Sequence, residues 1–192
     1  MSSLCQTRES CESSEEAASS IAQANLESSG IIRAAIGASI AIALVGFLVL
    51  LLAIPFPDVI FIPSFGATAT LIFMCPGSPY AQPWPAIGGN AMAASIGVLI
   101  ATAVHIPILN VALSVGLTLI SISLSRAFHP PAGAVAVTAA MSGDVGFTHG
   151  FLFVIVPVTV GMSLIVVVRA LLARVTGDRY PRQLSCRRLR QG

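Results

Sequence analysis

Pro63-Ser64-Phe65-Gly66-Ala67-Thr68-Ala69 and Pro130-Pro131-Ala132-Gly133-Ala134-Val135-Ala136 decide how this chain is read. Both follow the pattern P-x-x-G-A-x-A, and Met74 and Met141 then fall at the same offset. The copies lie in two short apolar runs, 59–75 and 127–142, each with proline near its start. Proline suits the first turn of a helix, where its missing N–H would have had no partner, and it breaks a helix interior. Helices are therefore predicted to begin near Pro63 and Pro131, too short for a full membrane crossing. One long apolar segment precedes each copy and another follows, 31–54 and 86–104 around the first, 106–125 and 150–172 around the second. The pattern reads as a duplicated unit of long helix, short broken helix and long helix.

Composition places this unit in a bilayer. Of 192 residues, 55% are apolar and 9% charged, and all ten Lys+Arg cations are Arg. Between Ala34 and Val168 the only formal charges are Asp58, Arg126 and Asp144. Three charges cannot solvate the exterior of a water-soluble body. Soluble enzymes, nucleic-acid binders and disulfide scaffolds are excluded on that ground. Each long segment is long enough for a hydrocarbon core of about 30 Å. Extended backbone ahead of the two short helices then has to be buried in protein or line a cavity. The fold class is thus an all-α polytopic membrane protein with six membrane segments, or alternatively four full spans plus two re-entrant ones.

The expected organisation has three parts. Residues 1–29, rich in Ser and Glu, read as a disordered tail. Residues 30–173 form the membrane domain, with repeat one at about 31–104 and repeat two at about 106–172. Residues 174–192 form an Arg-rich tail, part of a basic series comprising Arg169, Arg174, Arg179, Arg182, Arg187, Arg188 and Arg190. The positive-inside bias puts both termini in the cytoplasm and the protein in the cell (inner) membrane. If the short segments cross, the halves are inverted and Arg126 is also cytoplasmic; if they re-enter, Arg126 faces outward. The Arg distribution favours the inverted 3+3 order.

The run Phe128-His129-Pro130-Pro131-Ala132-Gly133-Ala134 resembles the signature of the HPP family of integral membrane proteins. Pro63-Ser64-Phe65-Gly66-Ala67 and the segment from Pro79 through Trp84 to Gly88-Gly89 resemble it too, in the same order. The family is usually described with four spanning helices, two fewer than the segments counted here. The resemblance implies nitrite transport, the role assigned to plastid and cyanobacterial relatives. Some members add a soluble C-terminal regulatory domain, for which this chain is too short.

The residues supply a rationale for an anion. A helix starting at Pro63 or Pro131 offers first-turn N–H groups, from Ser64, Phe65 and Gly66 or from Ala132, Gly133 and Ala134. Gly and Ala keep that backbone approachable, and the helix dipole adds positive potential. In an inverted repeat the two helix starts would face one another near the midplane. The candidate substrate-binding residues are accordingly Ser64, Phe65, Gly66, Ala67, Arg126, His129, Pro130, Pro131, Gly133 and Ala134. His129 is an anion ligand, a proton relay or a helix cap, and Arg126 either joins it in a cationic vestibule or snorkels to headgroups. The competing use of the small residues is close helix packing.

Other features carry less. Asp58, Asp144 and His149 belong to solvated connections, His105 to a helix end, and Tyr80 and Trp84 to an interfacial anchor in the proline-rich loop 76–85. Cys5, Cys11, Cys75 and Cys186 have no ligand spacing and read as unpaired thiols. No paired carboxylates, HExxH or phosphate loop is present, and nothing orients His129 as a base for Ser64. The reading is a transporter or channel for a small inorganic anion, nitrite by resemblance, with no enzyme activity, metal or cofactor. Its partners are the anion and the lipid bilayer, with no nucleic acid and with homo-oligomers compatible with so small a body. The alternative is a non-transporting scaffold or sensor whose motifs only pack helices.

Overall fold

A computed structural model describes residues 28–51, 63–141 and 152–181. The expectations for the N-terminal tail, for most of the basic tail and for Asp58, Asp144 and His149 lie outside them. Six α-helices are described: α1 (Ser28–Leu51), α2 (Pro63–Met74), α3 (Asn90–Ala103), α4 (Pro107–Leu124), α5 (Ala132–Met141) and α6 (Gly161–Thr176). A π-helical turn, Pro85–Gly89, leads into α3, and another, Val154–Val160, leads into α6. Among the described residues, four continuous helices are long and apolar enough to cross a membrane: Gly30–Leu51, Pro85–Ala103, Pro107–Leu124 and Val154–Thr176. At 1.5 Å per residue they measure about 27–35 Å, the thickness of a bilayer core. The protein is an all-helical multi-pass membrane protein.

The chain divides into two units at Ile36/Gly37. The described part of the first is Ser28–Ile36, the opening turns of α1. The second, from Gly37 onward, contains the remaining helices.

Within this second unit one long helix is polar on its buried face and apolar outside, the reverse of a helix in a soluble bundle. Helix α4 buries Asn110, Ser114, Thr118 and Ile122, one residue per turn. Its other faces expose Ile108 at 85% and Leu124 at 81%. Lipid is as good a solvent for Leu and Ile as a protein core is, so helices associate through small and polar side chains. Asn110 donates to the Ala140 carbonyl at 3.0 Å and accepts from Ser114 at 3.3 Å. The start of α4 therefore meets the end of α5, and the two run antiparallel.

Glycines set the remaining directions. A Cβ on Gly97 would lie 2.5 Å from Ala139 Cβ and 2.8 Å from Ala136 O; one on Gly89 would lie 2.5 Å from Ala127 O and 3.2 Å from His129 Cβ. Backbones this close require glycine, and the two contacts in order make α3 and α5 parallel. A Cβ on Gly161 would lie 2.8 Å from Phe65 Cζ and 3.3 Å from Val45, and one on Gly37 would lie 2.5 Å from Phe73 and 2.8 Å from Leu172. Helices α2 and α6 are thus parallel to each other and antiparallel to the part of α1 from Gly37 onward. Each short helix lies parallel to a long helix from the other half of the sequence.

The matched short helices also share a burial pattern. Phe65, Thr68, Ala69, Ile72 and Phe73 are buried in α2, and Ala132, Val135, Ala136, Ala139 and Ala140 in α5. These are the same positions of the aligned motif, and both helices end at its methionine. Gly66 and Gly133, also equivalent, behave unlike Gly97: a Cβ on either meets nothing within 4 Å. Replacing Gly97 by Leu is expected to destabilise the fold by about 1–3 kcal/mol through overpacking. Gly66→Leu and Gly133→Leu should melt at or slightly above the wild-type temperature, since a mid-helix Gly costs about 0.5–1 kcal/mol relative to Ala. Thermal unfolding of the purified protein checks both expectations.

Candidate functional site: a buried polar junction

The starts of α2 and α3 and the turn before α5 meet through four buried side chains. Ser64 Oγ donates to the Pro131 carbonyl at 2.9 Å and shares the same proton with Asn90 Oδ1 at 3.2 Å. Asn90 Nδ2 donates to Ala86 O, in the π turn, at 2.6 Å, which fixes the amide's orientation toward Ser64. One helical turn on from Ser64, Thr68 Oγ1 lies 2.9 Å from His129 Nε2. His129 Nδ1 lies 2.8 Å from Tyr80 O. A carbonyl only accepts, so in the neutral ring Nδ1 carries the proton, and Thr68 donates to Nε2. Ser64, Thr68, Asn90 and His129 all have 0% exposure.

The sequence-predicted residues divide around this junction. Ser64, His129 and Pro131 belong to it directly. Phe65 is buried against Gly161 on the neighbouring helix. Gly66 and Ala67 are exposed, because they lie across α2 from Ser64 and Thr68. Pro130 is exposed, while Pro131, Gly133 and Ala134 are half-buried.

Two expectations need correction. The first-turn N–H groups of Ala132, Gly133 and Ala134 are not free: they donate to His129 O at 2.9 Å, Pro130 O at 3.4 Å and Pro131 O at 3.0 Å. Two prolines in succession let the chain turn tightly there, so the helix start caps itself. Nor do Arg126 and His129 share one environment, since His129 is fully buried. Arg126 is exposed at φ 52, with its N–H on Ser123 O at 3.2 Å and the Ala127 N–H on Ile122 O at 2.8 Å. This is the Schellman termination of α4, in which Arg126 occupies the left-handed position that glycine usually fills. Ser64 makes its bonds to Pro131 and Asn90, as a structural donor and not as a partner of His129.

The loop 76–85 does more than anchor an interface. Tyr80 and Trp84 are exposed, yet Trp84 Nε1 donates to Ser125 O at 3.3 Å, and the Tyr80 ring meets Phe128 edge-on at 5.2 Å. Tyr180, beyond α6, donates its hydroxyl to Ala81 O at 2.9 Å. Burial pushes that phenol up to about 12 against the lowering effect of the Arg169 cation, so the hydroxyl keeps its proton and remains a donor. Residues 79–82, 125–129 and 180 therefore gather at one end of the helices. Arg169, grouped by sequence with the solvated basic tail, is instead buried within α6. Cys75 is free and exposed.

Thr68, Asn90 and the Tyr80 carbonyl were not singled out from the sequence. Thr68 had a detectable signal, since it lies four residues after Ser64 on one short helix. Asn90 was detectable as an isolated amide in an apolar segment. The carbonyl had none.

The model of the HPP transmembrane region matches residues 23–181, most of the chain and the whole of this junction. The chain belongs to the HPP family. Two Dictyostelium discoideum relatives, each named as a transmembrane protein, are 35% identical to it over 113 and 116 residues, or 57% and 58% of this chain. The matched region spans 36% and 40% of their own lengths. No solved structure matches significantly.

For this HPP protein, His129→Ala leaves the buried Thr68 hydroxyl and the part-buried Tyr80 carbonyl short of a partner. It is expected to lower stability by about 2–6 kcal/mol, at about 1–3 kcal/mol for each orphaned group. Arg126→Gly relieves left-handed strain and should raise stability by about 1 kcal/mol. Thermal or denaturant unfolding of the purified variants checks the opposite signs.

Proposed function

We propose that this HPP protein carries a small inorganic anion across the cell (inner) membrane, with nitrite the first candidate, through the region where α2 and α5 meet. The observation that carries the reading is the uncharged polar junction of Ser64, Thr68, Asn90 and His129 inside an otherwise apolar helix set. The N-terminal ends of both short helices point at it, so their dipoles favour negative charge there. A site without a fixed cation suits a weakly hydrated monovalent anion. A Cβ on Gly66 or Gly133, equivalent points of the two halves, meets nothing within 4 Å, so an ion can approach the backbone of each short helix there, at Gly66 on the face opposite Ser64 and Thr68.

The same proposal includes six membrane segments in two inverted repeats, with both termini cytoplasmic. In that order residues 76–85, 125–131 and 177–181 share one side. In the four-span order with re-entrant loops, 177–181 would lie across the membrane from 76–85. The bonds from Tyr180 to Ala81, Trp84 to Ser125 and His129 to Tyr80 support the first order. So does the exchange of parallel partners, α2 with α6 and α5 with α3. The Arg-bearing end is then cytoplasmic.

The scaffold reading is favoured by one observation: the junction is closed, its side chains bonded to one another and to main-chain carbonyls. Anion uptake into liposomes decides between them. Wild-type protein is expected to accumulate nitrite, and Gly66→Leu and Gly133→Leu, at positions where an added Cβ meets nothing within 4 Å, are expected to reduce uptake. Wild-type protein that moves none of a panel of small anions would leave the scaffold reading. For topology, cysteines at Gln82 and Val145 in a background without native Cys are probed with an impermeant thiol reagent in intact cells. Labelling at 145 alone is expected, and labelling at both positions would restore the four-span order.

A further inference from the structure

Arg169 is the one charged side chain buried among the described residues of the helix set, at 4% exposure. A guanidinium offers five N–H donors in a planar fork and does not lose its charge. Here Nη2 reaches Asp178 Oδ2 at 3.3 Å, a long contact for a charged pair, and the guanidinium lies 5.3 Å from the centre of the Tyr180 ring. Nη1 is buried with no hydrogen-bond partner. Leaving two donors of a buried cation empty is unfavourable. Asp178 itself is 55% exposed, so its carboxylate is shared with solvent. It arrives there because Gly177, at φ 77, ends α6 in the left-handed conformation and turns the chain back over the helix.

We propose that Arg169 is an anion-binding position, half filled in this state by the tethered carboxylate of Asp178. It takes a ligand with two anionic oxygens that replaces Asp178 and spans Nη1 and Nη2. A carboxylate is a bent, planar, monovalent group with two oxygens, and nitrite has the same shape and charge. A guanidinium binds such groups through two parallel hydrogen bonds. The choice of nitrite as ligand rests on the transport reading above; the site itself rests on the unfilled fork. A lipid phosphate offers the same pair of oxygens from the membrane side. Tyr180 and Asp178 leave together when the carboxylate is displaced, and Tyr180 holds Ala81, next to the carbonyl that accepts from His129. Occupancy of Arg169 thereby loosens the loop that closes the polar junction.

The test is ligand-induced thermal stabilisation of the full chain. Detergent-purified protein is titrated with sodium nitrite and sodium formate against chloride at constant ionic strength. In parallel, nanodiscs of phosphatidylcholine are compared with nanodiscs containing phosphatidylglycerol. Nitrite and formate are expected to raise the melting temperature. Asp178→Asn, which removes the internal competitor and keeps the cation, should lower the half-saturating concentration about two- to fivefold, the range set by an exposed ion pair. Arg169→Gln should abolish the shift. A shift given by phosphatidylglycerol and not by free anions, with the same dependence on Arg169 and Asp178, assigns the oxygens to a headgroup. An anion response unchanged in Asp178→Asn overturns the site even if Arg169→Gln fails to fold. Uptake is read on the same preparations: transport by wild type with no Arg169-dependent binding overturns this inference alone. Arg169-dependent binding without transport overturns the transport reading alone.

Discussion

The imidazole of His129 has to be satisfied on both sides without water, and the surrounding structure is arranged to do it. Thr68 comes from the first short helix, the Tyr80 carbonyl from the loop that follows it, and His129 from the turn before the second short helix. In a membrane interior an unpaired polar group costs several kcal/mol. One ring therefore ties together segments that are distant in sequence. The same economy governs its neighbours: the one hydroxyl proton of Ser64 serves two acceptors, and Asn90 returns its amide to the π turn beneath it. That bond ties the first residue of α3 back to the turn that leads into it.

Close backbone approach makes this network geometrically accessible. Gly89 admits the chain at Ala127 and His129, Gly97 admits Ala136 and Ala139, and Gly161 admits Phe65. With lipid outside, no hydrophobic gain favours these contacts over lipid-exposed helices, so dispersion between tightly fitted small residues has to hold them. The glycines of the P-x-x-G-A-x-A motif are not among them. Gly66 and Gly133 face open space, and the packing glycines lie on the long helices.

Much of this was legible in the sequence because a bilayer enforces length and polarity. The segments 86–104 and 106–125 match Pro85–Ala103 and Pro107–Leu124 closely, since Pro85 and Pro107 mark where each helix is able to start. The two short helices and their shared motif were equally visible. The chemistry at their ends was less so. Free N–H donors follow from any helix start, but the Pro130-Pro131 turn supplies its own carbonyls, which only coordinates reveal. Arg126 looked like a charge available to an anion and is a helix terminator. Arg169 lies inside the segment 150–172 but opens the C-terminal series of arginines, and the series hides that this one is buried in a helix that runs to Thr176. Main-chain acceptors such as Tyr80 O have no residue type to betray them.

The most direct test of the account is a double-mutant cycle between Thr68 and His129. Unfolding free energies are measured for Thr68→Val, His129→Ala and the pair, with Thr68→Val preserving shape while removing the hydroxyl. A bond between buried groups of the two short-helix regions predicts a coupling energy of about 1 kcal/mol or more. Strictly additive losses, with no coupling, would contradict it and separate His129 from the first short helix.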